Sequence, residues 1–213
     1  WKVLKGKDKE VMFLQKHQAG QMGISDFTVF SGVTINGEEL NHRLYHYRLV
    51  YSKWAYVKVI LGGESYTALT SGLQNAFIKS GGVPKEHRTD SLSAAFNNNK
   101  KELTVAYQQF CDHYNVKPTR CNLGKSHENG AVESPHGHLK HRIRQAVLLR
   151  GNKDFSSLEE YQSFIDKIVD CHNKNCSLFK EEKKYLGKLA EHKAADFTVL
   201  HVRVTSCSTI KAV

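Results

Sequence analysis

Three β-rich runs precede any helical period in this chain, and that order constrains its fold more than any other feature. Met22, Ile24, Asp26 and Thr28 alternate with Ser25, Phe27 and Val29, the period of two that sends strand side chains to opposite faces. Residues 43–51 (RLYHYRLVY) and 54–61 (WAYVKVIL) supply two more runs of β-branched and aromatic residues, which suit a pleated, half-buried surface. Asn36-Gly37 is a hairpin signal after Val33-Thr34-Ile35, and Gly62-Gly63 closes the third run.

Beyond Gly63 the period changes. From Ser65 to Lys79, Leu69, Leu73, Ala76 and Phe77 fall on one face of a helix. Gly81-Gly82-Val83-Pro84 breaks it, and EHRTD (86–90) is a short strand ending at Asp90. Leu103 to Tyr114 reads as an amphipathic helix, VKPTR (116–120) as a strand, and NLGKSH (122–127) as a polar loop. A long helix is expected from about Ala131 to Leu149, with Asn129-Gly130 forming a turn ahead of it. Pro135 must then sit in the first turn or kink the helix. Ser156-Ser157-Leu158-Glu159-Glu160 marks another helix start, continued at Tyr161, Phe164, Ile165, Ile168 and Val169. Early hairpins followed by alternating β and α units imply an α/β domain, a mixed sheet flanked by helices.

The chain of 213 residues is long enough to bury a real core. Lys plus Arg number 31 against 21 acids, a formal charge of +10, and such an excess favours a polyanionic partner through counterion release. Residues 1–19 read as a basic arm, 20–176 as the core, 177–196 as a charged linker and 197–213 as a return to β structure. The chain opens on Trp1 and stops at Val213 within a strand-like run, so an excised piece of a longer protein is expected. Cys111, Cys121, Cys171, Cys176 and Cys207 show no paired spacing and read as reduced thiols of a cytoplasmic protein. Cys171-His172 with Cys176 is half a zinc site without a second pair. No apolar run approaches the ~20 residues of a membrane span.

Two-metal phosphoryl transfer needs carboxylates from several elements, because two divalent cations about 4 Å apart require oxygen ligands on several sides. Asp26 in mid-strand, Asp90 at a strand end and Glu133 near a helix start could supply them. Spacing alone does not select these three from 21 acids. Asp90 could equally cap the segment that follows it, and Glu128 is a rival to Glu133. The local charge pattern is more telling. From Ser134 to Lys153 there is no acid, while Lys140, Arg142, Arg144, Arg150 and Lys153 are all basic, a nucleic-acid footprint. Glu133 and Lys140, seven residues apart, share a helix face about 10 Å apart, with His136 and Gly137 between them and Arg144 a turn further.

The runs SDFT (25–28), HRLYHYRL (42–49), LGGES (61–65), EHRTDSLSAAF (86–96) and HENGAVESPHGHLK (127–140) occur in this order. They make residues 20–150 resemble the catalytic core of retroviral-integrase type, and within it the IstA-like transposases of bacterial insertion elements. The resemblance implies a ribonuclease-H-like fold with a five-stranded mixed sheet. It places a D-D-E triad on Asp26, Asp90 and Glu133, selecting Glu133 over Glu128, and a basic residue at Lys140. Two Mg2+ or Mn2+ ions held by the triad are implied, with DNA contacts at Lys140, Arg142, Arg144, His136 and Asn129. The implied reaction hydrolyses a phosphodiester at an element end and then uses the freed 3′-hydroxyl to attack target DNA. Self-association of the full-length protein, an IstB-like ATPase helper, a nucleoid-associated location and a C-terminal β-barrel beginning near residue 197 are also implied. Two other classes stay open: a ribonuclease-H-like nuclease that does not join DNA, and a non-catalytic DNA-binding remnant.

His127, His136, His138 and His141 could suggest a metal cluster, but hard oxygen ligands suit magnesium better, so these rings are expected on phosphate or beside the carboxylates. Tyr45, Tyr47, Tyr51 and Trp54 lie at strand spacing and are expected in the core and on sheet faces rather than stacking on bases.

Overall fold

The computed structural model describes the backbone of residues 17–89, 94–97, 102–120, 126–191, 202–204 and 210–212, and the side chains of these except 97, 126–136, 202–204 and 210–212. Strand β1 (Met22–Phe30) is the centre of a five-stranded sheet. On one side it pairs antiparallel with β2 (His42–Leu49), which pairs antiparallel with β3 (Ala55–Leu61). On the other side β4 (Glu86–Thr89) runs parallel to β1, and β5 (Lys117–Arg120) parallel to β4. The order β3-β2-β1-β4-β5 is a mixed sheet of the kind the early hairpins require. Asn36 and Gly37 take positive φ in the turn between short strands Thr34–Ile35 and Glu38–Glu39, as their Asn-Gly sequence demands.

Among the described residues five α-helices accompany the sheet: α1 (Tyr66–Ser80), α2 (Val105–Tyr114), α3 (Ser126–Arg150), α4 (Leu158–Lys174) and the single turn α5 (Phe179–Glu182). The hydroxyls of Ser65, Thr104 and Ser157 cap α1, α2 and α4 by accepting an N–H three residues on, which satisfies donors that the helix cannot. α1 ends on Gly81 at φ 77°, a left-handed stop that glycine takes without strain.

Strand alternation sorts the apolar residues into two cores. Phe27, Tyr45 and Tyr47 face α1 and α2, where Leu73, Phe77, Tyr107 and Phe110 meet them. Phe30, Leu44 and Val57 face α3 and α4, packing with Ile143, Tyr161 and Ile165. Tyr45, Tyr47 and Trp54 are all buried, in keeping with a packing role. The open edge of β3 is covered by side-chain amides of α4. Gln162 accepts from Val59 N at 2.8 Å and donates to Val57 O at 3.2 Å, and Asn173 accepts from Ala55 N at 2.9 Å and donates to Ala55 O at 2.8 Å.

Two segments differ from expectation. Of the stretch 177–196, read as charged linker, residues 177–191 are described, and they pack onto the core. Phe179 stacks on Trp54 with ring centroids 5.2 Å apart, and Leu186, Leu189 and Ala190 lie against the same cluster. Glu182 is fully buried, its carboxylate accepting from Gly20 N at 3.2 Å and Ser52 N at 2.9 Å. Gly187 exchanges backbone hydrogen bonds with Val83. The apolar residues interspersed among the charges drive this docking.

Secondly, α3 begins at Ser126, so Asn129 and Gly130 lie inside it rather than in a turn ahead of it, and Pro135 lies past its second turn. One glycine costs a helix about 1 kcal/mol, which packing of a 25-residue helix can offset. Residues Val202–Val204 and Ile210–Ala212 form an antiparallel pair. Among the described residues, no helix is long and apolar enough to cross a membrane.

Candidate active site

Asp26 is the fifth of the nine residues of β1, at the middle of the central strand. Alternation puts it on the same face as Thr28 and Phe30, the side covered by α3 and α4. The carboxylate is half-buried, and its Oδ1 accepts from Phe27 N at 2.8 Å. That bond fixes the orientation of a side chain that strands otherwise disfavour.

Directly opposite Asp26 on β2 stands His46, which is buried at 4% exposure. Two pairs further down, on the same face, Ile24 lies between Arg48 on β2 and Arg88 on β4. The carboxylate therefore has a histidine beside it and two arginines below it on one face. Burial depresses the Arg48 pKa, and burial, with Arg48 and Arg88 nearby, depresses that of His17. Sequence patterning singles out none of His46, Arg48 and Arg88. The period of two is visible in HRLYHYRL, but the register that pairs His46 with Asp26 depends on which hairpin forms.

The second expected carboxylate, Asp90, lies outside the described residues. The strand leading to it is described: Thr89, the last residue of β4, pairs with Ser25, the residue before Asp26. Glu133 lies on α3, two turns before Lys140. Its side chain is outside the described set, as are those of Asn129 and His136. Among the described residues no three His, Cys, Asp or Glu side chains are grouped to hold a metal; that set contains only one carboxylate of the three. Of the basic residues of α3, Lys140 is half-exposed and Arg142 and Arg144 are exposed. Ile143 anchors the helix in the core with Phe30, and the Arg144 guanidinium lies 5.8 Å from the centroid of the Phe30 ring. His138 and His141 are exposed. His172 Nε2 lies 3.7 Å from Cys176 Sγ and 2.9 Å from the Lys53 carbonyl, a local contact that seats the end of α4 on the β2–β3 turn.

This architecture is the ribonuclease-H-like fold of retroviral integrase catalytic cores. The chain is similar to a chain of a simian T-cell lymphotropic virus intasome solved in complex with the PP2A regulatory subunit B56 gamma. The TM-score is 0.59 at 16% identity, covering 86% of this chain and 62% of that one. It is similar also to the HTLV-2 integrase catalytic core domain in complex with magnesium. For the dimeric form the TM-score is 0.52 at 20% identity, over 71% of this chain and 84% of that one. For the trimeric form the TM-score is 0.50 at 20% identity, over 70% and 82%. No protein-family profile matches the chain. A relative from Sinorhizobium fredii (strain NBRC 101917 / NGR234), the uncharacterized protein y4jA/y4nE/y4sE, is 47% identical over 212 residues, 96% of this chain and 42% of the relative. The chain thus spans about two fifths of the length of that relative.

Proposed function

We propose that the chain is the catalytic core of an IstA-like transposase, cutting DNA at an element end and joining the freed 3′-hydroxyl to target DNA. The observation that carries this reading is the place of Asp26: mid-strand at the centre of an integrase-type sheet, on the face that α3 covers. Element lengths support the pairing of that strand with Glu133. Phe30 and Ile143 share a core; Asp26 lies four residues back from Phe30, about 13 Å, and Glu133 ten residues back from Ile143, about 15 Å. A helix running along the strand would bring the two levels together.

Asp26, Asp90 and Glu133 are a set of hard oxygen donors, which fits Mg2+ or Mn2+ and not a soft metal. When bound, two such ions supply activation of the attacking oxygen and stabilisation of the leaving one. The protein's part is placement. The Phe27 N–H holds the Asp26 carboxylate in one orientation. Lys140 and Arg144, one turn apart on α3, neutralise the phosphate backbone and lay it beside the carboxylates, with His136 and Asn129 extending that contact toward the helix start and Arg142, on another face of the helix, adding charge at its flank. The element-end phosphodiester occupies the site first and is cut by water; the freed 3′-hydroxyl stays and attacks a target phosphodiester brought beside it, expelling the target strand's own 3′-oxygen, so no covalent protein–DNA intermediate is needed.

Residues 1–19 would serve as a basic arm, and residues from 197 onward as the start of a small β-barrel. Self-association of the full-length protein is in keeping with the dimeric and trimeric forms of the similar HTLV-2 integrase core, and an IstB-like ATPase helper follows from the resemblance to IstA-like transposases. The test uses the full-length protein with labelled element-end DNA, target plasmid and Mg2+ or Mn2+. Joined product supports the transposase. Cleavage without joining favours a ribonuclease-H-like nuclease, and DNA binding without either favours a non-catalytic remnant.

A further inference from the structure

On the face of the sheet opposite Asp26 lies a buried polar bridge that the proposed chemistry does not use. His87 on β4 is fully enclosed. Its Nε2 lies 2.9 Å from the Ser25 hydroxyl on β1, and its Nδ1 2.6 Å from the Tyr107 hydroxyl on α2. The Tyr47 ring stacks on the imidazole, with centroids 6.2 Å apart and planes 18° from parallel. A Cβ at Gly23, the register partner of His87, would overlap that tyrosine's hydroxyl and ring. The His87 carbonyl accepts from the Thr119 hydroxyl on β5 at 3.2 Å. One residue thereby ties three strands and a helix together.

The ties fall next to the carboxylate positions. Ser25 immediately precedes Asp26, and its strand partner Thr89 immediately precedes Asp90. Enclosure drives the imidazole to its neutral form, with the pKa pushed down to about 3. A neutral ring has one donor and one acceptor, and two hydroxyls can each play either part. An apolar side chain could fill this space, but it would fix neither the distance between the strands nor their register, whereas a satisfied buried network does both.

We propose that His87 is a positioning residue for the carboxylate site, acting through Ser25 and Tyr107 to set the height of β1 against β4. This rests on the reading of Asp26 and Asp90 as metal ligands. The test is Mn2+ binding by the full chain, followed by calorimetry below the unfolding temperature, for the unsubstituted protein, Ser25→Ala, Tyr107→Phe, Asp26→Asn and Ser80→Ala. Ser80 is equally buried, bonded to the Phe77 and Gly82 carbonyls, and serves as a control for stability loss alone. The expected result is affinity weakened on the order of 10-fold in Ser25→Ala and Tyr107→Phe, unchanged in Ser80→Ala and lost in Asp26→Asn. Because Ser25→Ala and Tyr107→Phe each leave the imidazole in place, they test the bridge even if substitution of His87 prevents folding. Unchanged affinity in both, with Asp26→Asn still defective, overturns the positioning role alone. Absence of Mn2+ binding by the unsubstituted protein overturns the carboxylate reading, and this inference with it.

Discussion

Asp26 and His46 stand directly opposite one another at the centre of the sheet, one half-buried and the other almost wholly enclosed. A ring beside a proposed metal-holding carboxylate can steer that carboxylate. Replacing His46 by Leu keeps the bulk and removes both nitrogens. Metal-dependent cleavage is expected to fall by on the order of 10-fold while circular dichroism stays unchanged. Full activity in His46→Leu would reduce the ring to packing.

Asp26→Asn should remove activity while leaving the fold intact, since the side chain is half-exposed and its Oδ1 bond to Phe27 N can be kept by an amide oxygen. A loss of roughly 1000-fold, equivalent to about 4 kcal/mol in the barrier, is expected. Single-turnover cleavage at saturating Mn2+ measures it; a loss under tenfold would move the chemistry elsewhere.

The basic stripe should announce itself through salt. Lys140→Ala and Arg144→Ala, on one face of α3, are each expected to lower the slope of log affinity on log salt by about 0.9 for every phosphate that the variant no longer neutralises. DNA-binding titrations across a salt series give that slope, and an unchanged slope in both variants removes the stripe from the interface.

Glu182→Ala tests whether 177–191 belongs to the core. It strips the acceptor from two buried backbone N–H groups, those of Gly20 and Ser52, which should cost about 3 kcal/mol. Urea unfolding reads this directly, and a change below about 0.5 kcal/mol would return the segment to the status of a surface strap.

Stability should also depend on pH through His87. Its folded pKa of about 3 lies below the ordinary value of 6.5, so between those values the unfolded chain binds the extra proton. The contribution is complete above about pH 6.5 and is lost as pH falls toward 3, on the order of 5 kcal/mol in all. Burial lowers His42 and His172 in the same direction, so the His87 share is the difference in slope between the unsubstituted protein and His87→Gln. Equal slopes would contradict it.

Much of the architecture was legible because it is written in local periods. The alternation around Asp26 and the helix starts at Ser65 and Ser157 all follow from the chain itself. What was hidden depends on residues far apart in sequence. His46 meets Asp26 only once the β1–β2 register is chosen, and His87 meets Tyr107 only once α2 folds onto the sheet. The start of α3 lies earlier than its composition suggests, because Asn129-Gly130 are turn residues by type that a long packed helix can nevertheless absorb. Glu182 was hidden in a run of charge, where a count of lysines and glutamates masks the one acid that is buried. Of the proposed triad, Asp26 is marked by its mid-strand position, and Asp90 and Glu133 by the EHRTD and HENGAVE runs that carry them.

The two amides of α4 that cover β3 also decide how copies of this fold can meet. Gln162 and Asn173 occupy the outward hydrogen-bonding groups of Ala55, Val57 and Val59, so that margin of the sheet offers no ladder to a neighbouring strand. At the opposite margin, β5 is only four residues long and includes Pro118, which has no N–H to give. Among the described residues neither rim presents a full ladder to a neighbouring strand, which leaves helix surfaces and loops as the places where copies of the fold would meet.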